Sequence, residues 1–199
     1  DLGVMPLSSV GITPMPAEQR VPGPRPEGGE LASAFLWQSE AEAGILTVPM
    51  GIGYDPYASG GQYVYSWGHT QGSVEFSFTV PSTGNYYIWV RSMGLDLLHN
   101  SFFASLDGGT ELWYEIPNQE VWVWEQLHEQ GVPPQPFVLS AGTHWLKFRG
   151  RETESRLDMV IISNDPDYLP PGYDASFVWQ REAEEGSLTS PMAIGNDVD

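Results

Sequence analysis

Between Ser73 and Val80 the chain alternates without a break: Val74, Phe76, Phe78 and Val80 are apolar, while Ser73, Glu75, Ser77 and Thr79 are polar. That period of two predicts a strand with one buried face. Residues 81–85, PSTGN, carry turn chemistry and predict a hairpin into a second arm over 86–91. The same reading predicts strands at 62–66, 101–106, 111–115, 121–125, 144–149 and 157–163, separated by Gly, Pro, Asn and Asp. No stretch of ten or more residues keeps a helical period. Many short strands at regular spacing predict an all-β sandwich or jelly roll.

A second regularity is long-range. The block FLWQSEAEAGILTVPMGIGYDP, from Phe35 to Pro56, returns 142 residues later as FVWQREAEEGSLTSPMAIGNDV, from Phe177 to Val198, with 14 of 22 positions identical. Shared composition does not produce such agreement, so the chain holds one repeat and the start of another. Residues 1–34 contain six prolines and little periodicity, which predicts an extended Pro-rich arm. A second Pro-rich stretch at 165–176 reads as a linker into the repeated block. The predicted organisation is an arm (1–34), a β-sandwich (35–164), a linker (165–176) and a partial second repeat (177–199).

Charge narrows the partners. Twenty-six acidic residues against 8 basic give a formal charge of −18, which argues against nucleic acid or an anionic membrane surface. No apolar run approaches the roughly 18 residues needed to span a bilayer, so no membrane insertion is expected. With no cysteine, disulfides are excluded as staples, and a metal is the natural substitute. The start, Asp1-Leu2-Gly3, reads as a processed mature end of a secreted or cell-surface protein.

Both copies of the block carry Glu-Ala-Glu. Along an extended strand, residues two apart share a face, so Glu40 and Glu42 present two carboxylates together, as do Glu182 and Glu184. A hard cation with oxygen ligands removes that repulsion, and calcium fits best because it accepts carboxylates and carbonyls in irregular geometry. The four histidines, His69, His99, His128 and His144, form no zinc spacing. There is no nucleophile elbow and no phosphate-binding glycine loop, so catalysis is not expected.

The order of motifs resembles the family 6 and family 35 carbohydrate-binding modules, which are galactose-binding-like jelly rolls. The resemblance covers about residues 35–164. It rests on Glu40-Ala41-Glu42, the 80–86 turn VPSTGNY, Ala141-Gly142-Thr143-His144 and Leu157-Asp158. It implies a structural calcium held by Glu40, Glu42 and Asp158 with backbone carbonyls. It also implies a sugar site on the loops at one end or on the concave face, where by position Tyr65, Trp67, Asn100, Trp122, Trp124, Arg151 and Glu152 are the candidates. In the 121–125 strand, VWVWE, valines and tryptophans face opposite sides, and only one set belongs to the core.

Two functions compete at this stage. One is a structural subunit of a surface fibre or tandem array, assembled with copies of itself or adjacent repeats. Its assembly segment would present Phe177, Trp179, Glu182, Glu184 and Leu188, and would act by strand addition. The alternative is a glycan-targeting module of a secreted polysaccharide-degrading enzyme, with a polysaccharide or surface glycan as partner. The repeated block favours the first.

Overall fold

A computed structural model describes residues 34–117 and 120–173. The arm apart from Ala34, and the assembly segment at 177–199 with Phe177, Trp179, Glu182, Glu184 and Leu188, lie outside the described residues. Among the described residues there are twelve strands: β1 (Leu36–Glu40), β2 (Ile45–Thr47), β3 (Met50–Tyr54), β4 (Gln62–Ser66), β5 (Ser73–Val80), β6 (Gly84–Met93), β7 (Ser101–Leu106), β8 (Leu112–Glu115), β9 (Val123–Gln126), β10 (Phe137–Leu139), β11 (Gly142–Gly150) and β12 (Arg156–Ser163). Single 3₁₀ turns occur at Ala41–Ala43 and Ser59–Gly61.

The strands form two antiparallel sheets. A seven-stranded sheet runs β10-β6-β12-β4-β3, with β1 also on β12 and β9 also on β6. A five-stranded sheet runs β2-β5-β11-β7-β8. The expected all-β jelly-roll sandwich is therefore observed. The alternation in β5 does what it predicts: Val74, Phe76, Phe78 and Val80 are buried and Ser77 and Thr79 exposed.

The predicted hairpin across 81–85 does not form. β5 pairs with β2 and β11, whereas β6 pairs with β9, β10 and β12 in the other sheet. The turn crosses from layer to layer because both arms carry an apolar face, and these faces meet across the core instead of lying side by side. Tyr86, Ile88 and Val90 of β6 join Phe76, Phe78, Phe102, Tyr114 and Phe148 in one cluster. Each such side chain stabilises the fold by roughly 1.5–3 kcal/mol. Buried hydroxyls are paired, as in Ser92 Oγ to Tyr114 Oη at 3.0 Å.

The two ends of the sandwich are tied together. Phe35 N donates to Asn164 Oδ1 at 2.7 Å, and Asn164 N to the Phe35 carbonyl at 3.3 Å. Beyond Asn164 the described part of the Pro-rich stretch, residues 165–173, packs as a strap on the outer face of the seven-stranded sheet. Tyr168 and Tyr173 lie against Trp89, Trp124 and Ile161, and Trp124 Nε1 donates to the Pro171 carbonyl at 3.2 Å.

Candidate functional site

Three neighbourhoods gather the chemistry, beginning with the carboxylates. β1 ends at Glu40 and residues 41–43 turn, so Glu40 and Glu42 do not share the face of one continuous strand as the period of two predicted. Ala41, fully buried, is drawn into the core and forces this turn. Asp158 sits where the register of β12 on β6 shifts between Leu157 and Met159, a bulge that re-aims its side chain.

Ser59 links the three segments. Its backbone N–H donates to Asp158 Oδ1 at 2.9 Å and its hydroxyl donates to Glu40 Oε1 at 2.7 Å. Gly60, at φ 61°, lets the chain pass beside Glu42, and a Cβ there would sit 3.5 Å from Glu42 Oε1. Asp158 is fully buried and also pairs with Arg91, whose Nη2 donates to the Tyr57 carbonyl at 3.2 Å. Burial pushes the Asp158 carboxyl up to about 6, against the pull of Ser59 N–H and Arg91.

Among the described residues no three His, Asp or Glu side chains converge as a ready metal cage, and the cation on Asp158 is the Arg91 guanidinium. The donor chemistry nevertheless suits a hard cation. Glu40 Oε2 and Glu42 Oε2 are buried without a hydrogen-bond partner among the described residues, and such orphaned carboxylate oxygens are what calcium accepts.

The second neighbourhood is a row of aromatic rings on the outer face of the seven-stranded sheet. Tyr63 and Tyr65 alternate outward along β4, opposite Gly53 and Gly51 of β3. Both glycines are filled by rings from the neighbouring strand: a Cβ at 53 would overlap the Tyr63 ring, and one at 51 would lie 3.2 Å from Trp67 Cζ2. Successive centroids are 5.7 Å apart for Trp67 and Tyr65, 5.7 Å for Tyr65 and Tyr63, and 5.5 Å for Tyr63 and Trp122. Trp122 Nε1 donates to Asp55 Oδ2 at 3.2 Å, which fixes its plane. Trp67 is 62% exposed and Tyr65 partly exposed, whereas Tyr63 is buried beneath its neighbours.

Two guanidiniums border the row, with Arg156 Cζ 5.0 Å from the Tyr63 centroid and Arg91 Cζ 5.7 Å from the Trp122 centroid. Burial pushes the Tyr63 hydroxyl above its ordinary range, opposed by Arg156, so it stays a hydrogen-bond donor at neutral pH.

The third neighbourhood is an open pocket of about 460 Å³ among the loops at one end, where His69, His99, Phe103, Arg151 and Glu152 meet. Arg151 Nη1 donates to Glu152 Oε1 at 2.6 Å and to Ser101 Oγ at 2.7 Å, and its guanidinium lies 4.0 Å over the Trp113 ring. Glu152 Oε2 accepts Asn100 N–H at 3.1 Å. The pair frames the pocket with balanced charge.

The sequence candidates thus separate. Tyr65, Trp67 and Trp122 share the aromatic row, and Arg151 and Glu152 share the loop pocket. Asn100 is 2% exposed and braces the loop through Ile116, so it presents no free amide to a ligand. Trp124, 9% exposed, is not open to a sugar either, because Tyr168 and Tyr173 cover its cluster. In VWVWE, Val123 joins the main core and Trp124 the strap's cluster, while Val121 is exposed and Trp122 joins the aromatic row. Tyr63 and Arg156 are not singled out by the sequence, while His69 and His99, which form no zinc spacing there, line the loop pocket. The alternating glycines of Met50-Gly51-Ile52-Gly53 were the available signal, since glycine recurring on one strand face marks a close approach.

No protein-family model matches the chain. An uncharacterized protein P23 of Formosa agariphila is 26% identical over 111 residues, covering 49% of this chain and 26% of that one. The chain therefore spans about a quarter of that relative. A family 35 carbohydrate-binding module from Clostridium thermocellum superposes with a TM-score of 0.52 and 22% identity over 63% of this chain and 97% of that one. An exo-β-1,3-galactanase from Phanerochaete chrysosporium gives 0.53 at 20% identity, over 64% of this chain and 29% of the enzyme. A GH26-CBM35 β-(1,4)-mannanase of Podospora anserina gives 0.55 at 15% identity, over 68% and 29%. The fold is that of the family 35 carbohydrate-binding modules.

Proposed function

We propose that this chain is a non-catalytic polysaccharide-binding module of an extracellular protein, and that its ligand lies along Trp67, Tyr65, Tyr63 and Trp122. One observation carries this reading: a connected row of rings bedded on Gly51 and Gly53, with Trp67 open to solvent. The apolar face of a pyranose stacks on such rings, while Tyr hydroxyls and bordering guanidiniums reach its hydroxyls. A flat row suits the middle of a glycan chain. The loop pocket would take a branch or an end.

Binding of the full chain to galactan and mannan oligosaccharides by titration calorimetry tests the reading. Trp67→Ala should weaken binding about tenfold, the equivalent of ~1.4 kcal/mol, with the melting temperature unchanged. Silence across neutral and acidic glycans alike would remove the proposal.

Calcium is the proposed structural partner of Glu40, Glu42 and Asp158. Bound there, it would neutralise the orphaned oxygens and compete with Arg91 for Asp158. The melting point should rise on adding calcium and fall with chelator.

A second reading concerns assembly, and the repeated block supports it. Its first copy is not one strand: it supplies β1 and β3 to one sheet and β2 to the other. The second copy matches, in sequence, the opening strands of a sandwich, which favours a tandem array over a single-strand plug. Electron microscopy of the full chain beside one ending at Ser176 separates these, because only a plug makes filaments from the longer chain alone.

A further inference from the structure

The two copies of the repeated block differ at eight positions, and six of these are exposed in the first copy, while Ser39 and Gly51 are half-buried. Every residue of the block that reaches the main core, Phe35, Trp37, Ala41, Leu46 and Met50, returns unchanged. Three of the exposed differences exchange an apolar residue for a polar one. Ile45, Val48 and Tyr54, which are 60%, 84% and 76% exposed, stand where the second copy has Ser187, Ser190 and Asn196. The core positions are thus kept while these apolar ones are not, so packing within the block does not account for their apolar character.

Ile45, Val48 and Tyr54 lie with Ile52 along one side of the sandwich. Among the described residues β2 ends the five-stranded sheet and β3 the seven-stranded one, and Val48 and Pro49 join them, so two unpaired edges run side by side. On β3, Trp67 N–H donates to the Pro49 carbonyl at 3.4 Å and Asp55 N–H to the Gly61 carbonyl at 3.2 Å, so the odd-numbered residues face β4. Ile52 and Tyr54 therefore turn their N–H and C=O groups to the open edge. Charged side chains ordinarily guard such an edge. Residues 45–54 carry none, in a chain with 26 acidic residues.

We infer that this rim is a self-association surface, on which β3 of a second copy of the chain adds antiparallel about a two-fold axis at Gly53. An antiparallel strand edge is complementary to itself under such an axis. The uncharged rim is also where two strongly acidic copies meet with least repulsion. The repeated block makes a poorer partner, because Ser187, Ser190 and Asn196 remove the apolar contact. Gly72 lies against Met50, where a Cβ would come within 2.5 Å of the Met50 nitrogen, so the free part of the edge is its far end. There Ile52 meets Tyr54 of the second copy. The pairing joins two seven-stranded sheets and sets two aromatic rows on one continuous face.

Sedimentation velocity of the full chain at rising concentration tests this. The mass should double, and salt should strengthen the pair by screening the −18 charge on each copy. The combined exchange Ile45→Ser, Val48→Ser and Tyr54→Asn gives the rim the residues of its own repeat. It should weaken the dimer at least about tenfold without moving the melting temperature. Ile52→Lys should do the same by setting like charges face to face, and it replaces the triple variant if that one melts early. Hydrogen exchange at the Ile52 and Tyr54 amides of the unaltered chain should slow on dimerisation, a readout that needs no variant. A monomer at every concentration, a dimer in which those amides stay unprotected, or one that survives the substitutions overturns the inference.

Discussion

The outer faces of the two sheets obey different rules. On the five-stranded sheet, Thr79 and Thr143 share a hydrogen bond of 3.0 Å, Lys147 pairs with Glu75 at 2.8 Å, and Arg149 clamps Glu111. A large exposed ring on it, Trp145, stands opposite Ser77. This is an ordinary solvated face, with polar pairs across antiparallel neighbours. The seven-stranded sheet is aromatic on its outer side as well, with Arg91 and Arg156 set against the rings. Its outer face carries the aromatic row at one end and the Trp89, Trp124 and Ile161 cluster under the strap at the other. Where the chain covers its own aromatics the surface is structural, and where it leaves Trp67 bare lies the ligand face proposed above.

That contrast can be broken from the covered end first. Trp124→Ala should remove the strap's anchor and cost about 3 kcal/mol, read as a large drop in the denaturation midpoint together with protease access near Tyr168. Gly53→Val should cost roughly 1–3 kcal/mol by driving a side chain into the Tyr63 ring, and it should abolish glycan binding.

A smaller effect comes from His144, on the inner face of β11. Its Nδ1 lies 2.7 Å from Asp107 Oδ2 and its Nε2 2.8 Å from the Ser140 carbonyl, and both partners hold its pKa above the usual 6.5. A raised folded-state pKa stabilises the protein below the unfolded value, and the contribution is lost as pH rises through the folded value. The melting point should therefore fall by a few degrees as pH rises through that window, and His144→Gln should flatten the slope. The smallest change belongs to the solvated face: Lys147→Gln should cost no more than about 1 kcal/mol and leave glycan binding untouched.

What was legible in the sequence follows the same division. β5 declares itself because one of its faces is solvated, and the alternation of Val74, Phe76, Phe78 and Val80 survives intact. The partner of β5 was not legible, since a hairpin and a crossing turn between layers demand the same inward apolar face. β2 and β10 are not legible because each is three residues long, and β3 because Gly51 and Gly53 interrupt its pattern. Tyr65, Trp67 and Trp122 could be proposed from position alone. Arg156 could not, because its place beside Tyr63 and Tyr65 is set by the register of β12 on β4. The Glu40 and Glu42 pair was misplaced geometrically since Ala41 prefers the core to an extended path.

The last of the described strands, β12, is the spine of its sheet, bonded to β6 over seven residue pairs and to β1 and β4 on its other edge. Until Arg156–Ser163 leave the ribosome, β6 on one side and β1 and β4 on the other face an empty slot. Closing it joins Trp37 to Ile162, a long loop whose entropy must be overcome before the sheet rewards it, so each unit should fold slowly and only once its own β12 is available. In a tandem chain, nearly identical first strands would compete for that late-arriving spine, and a nascent unit that captured its neighbour's copy would become a swapped dimer of sandwiches.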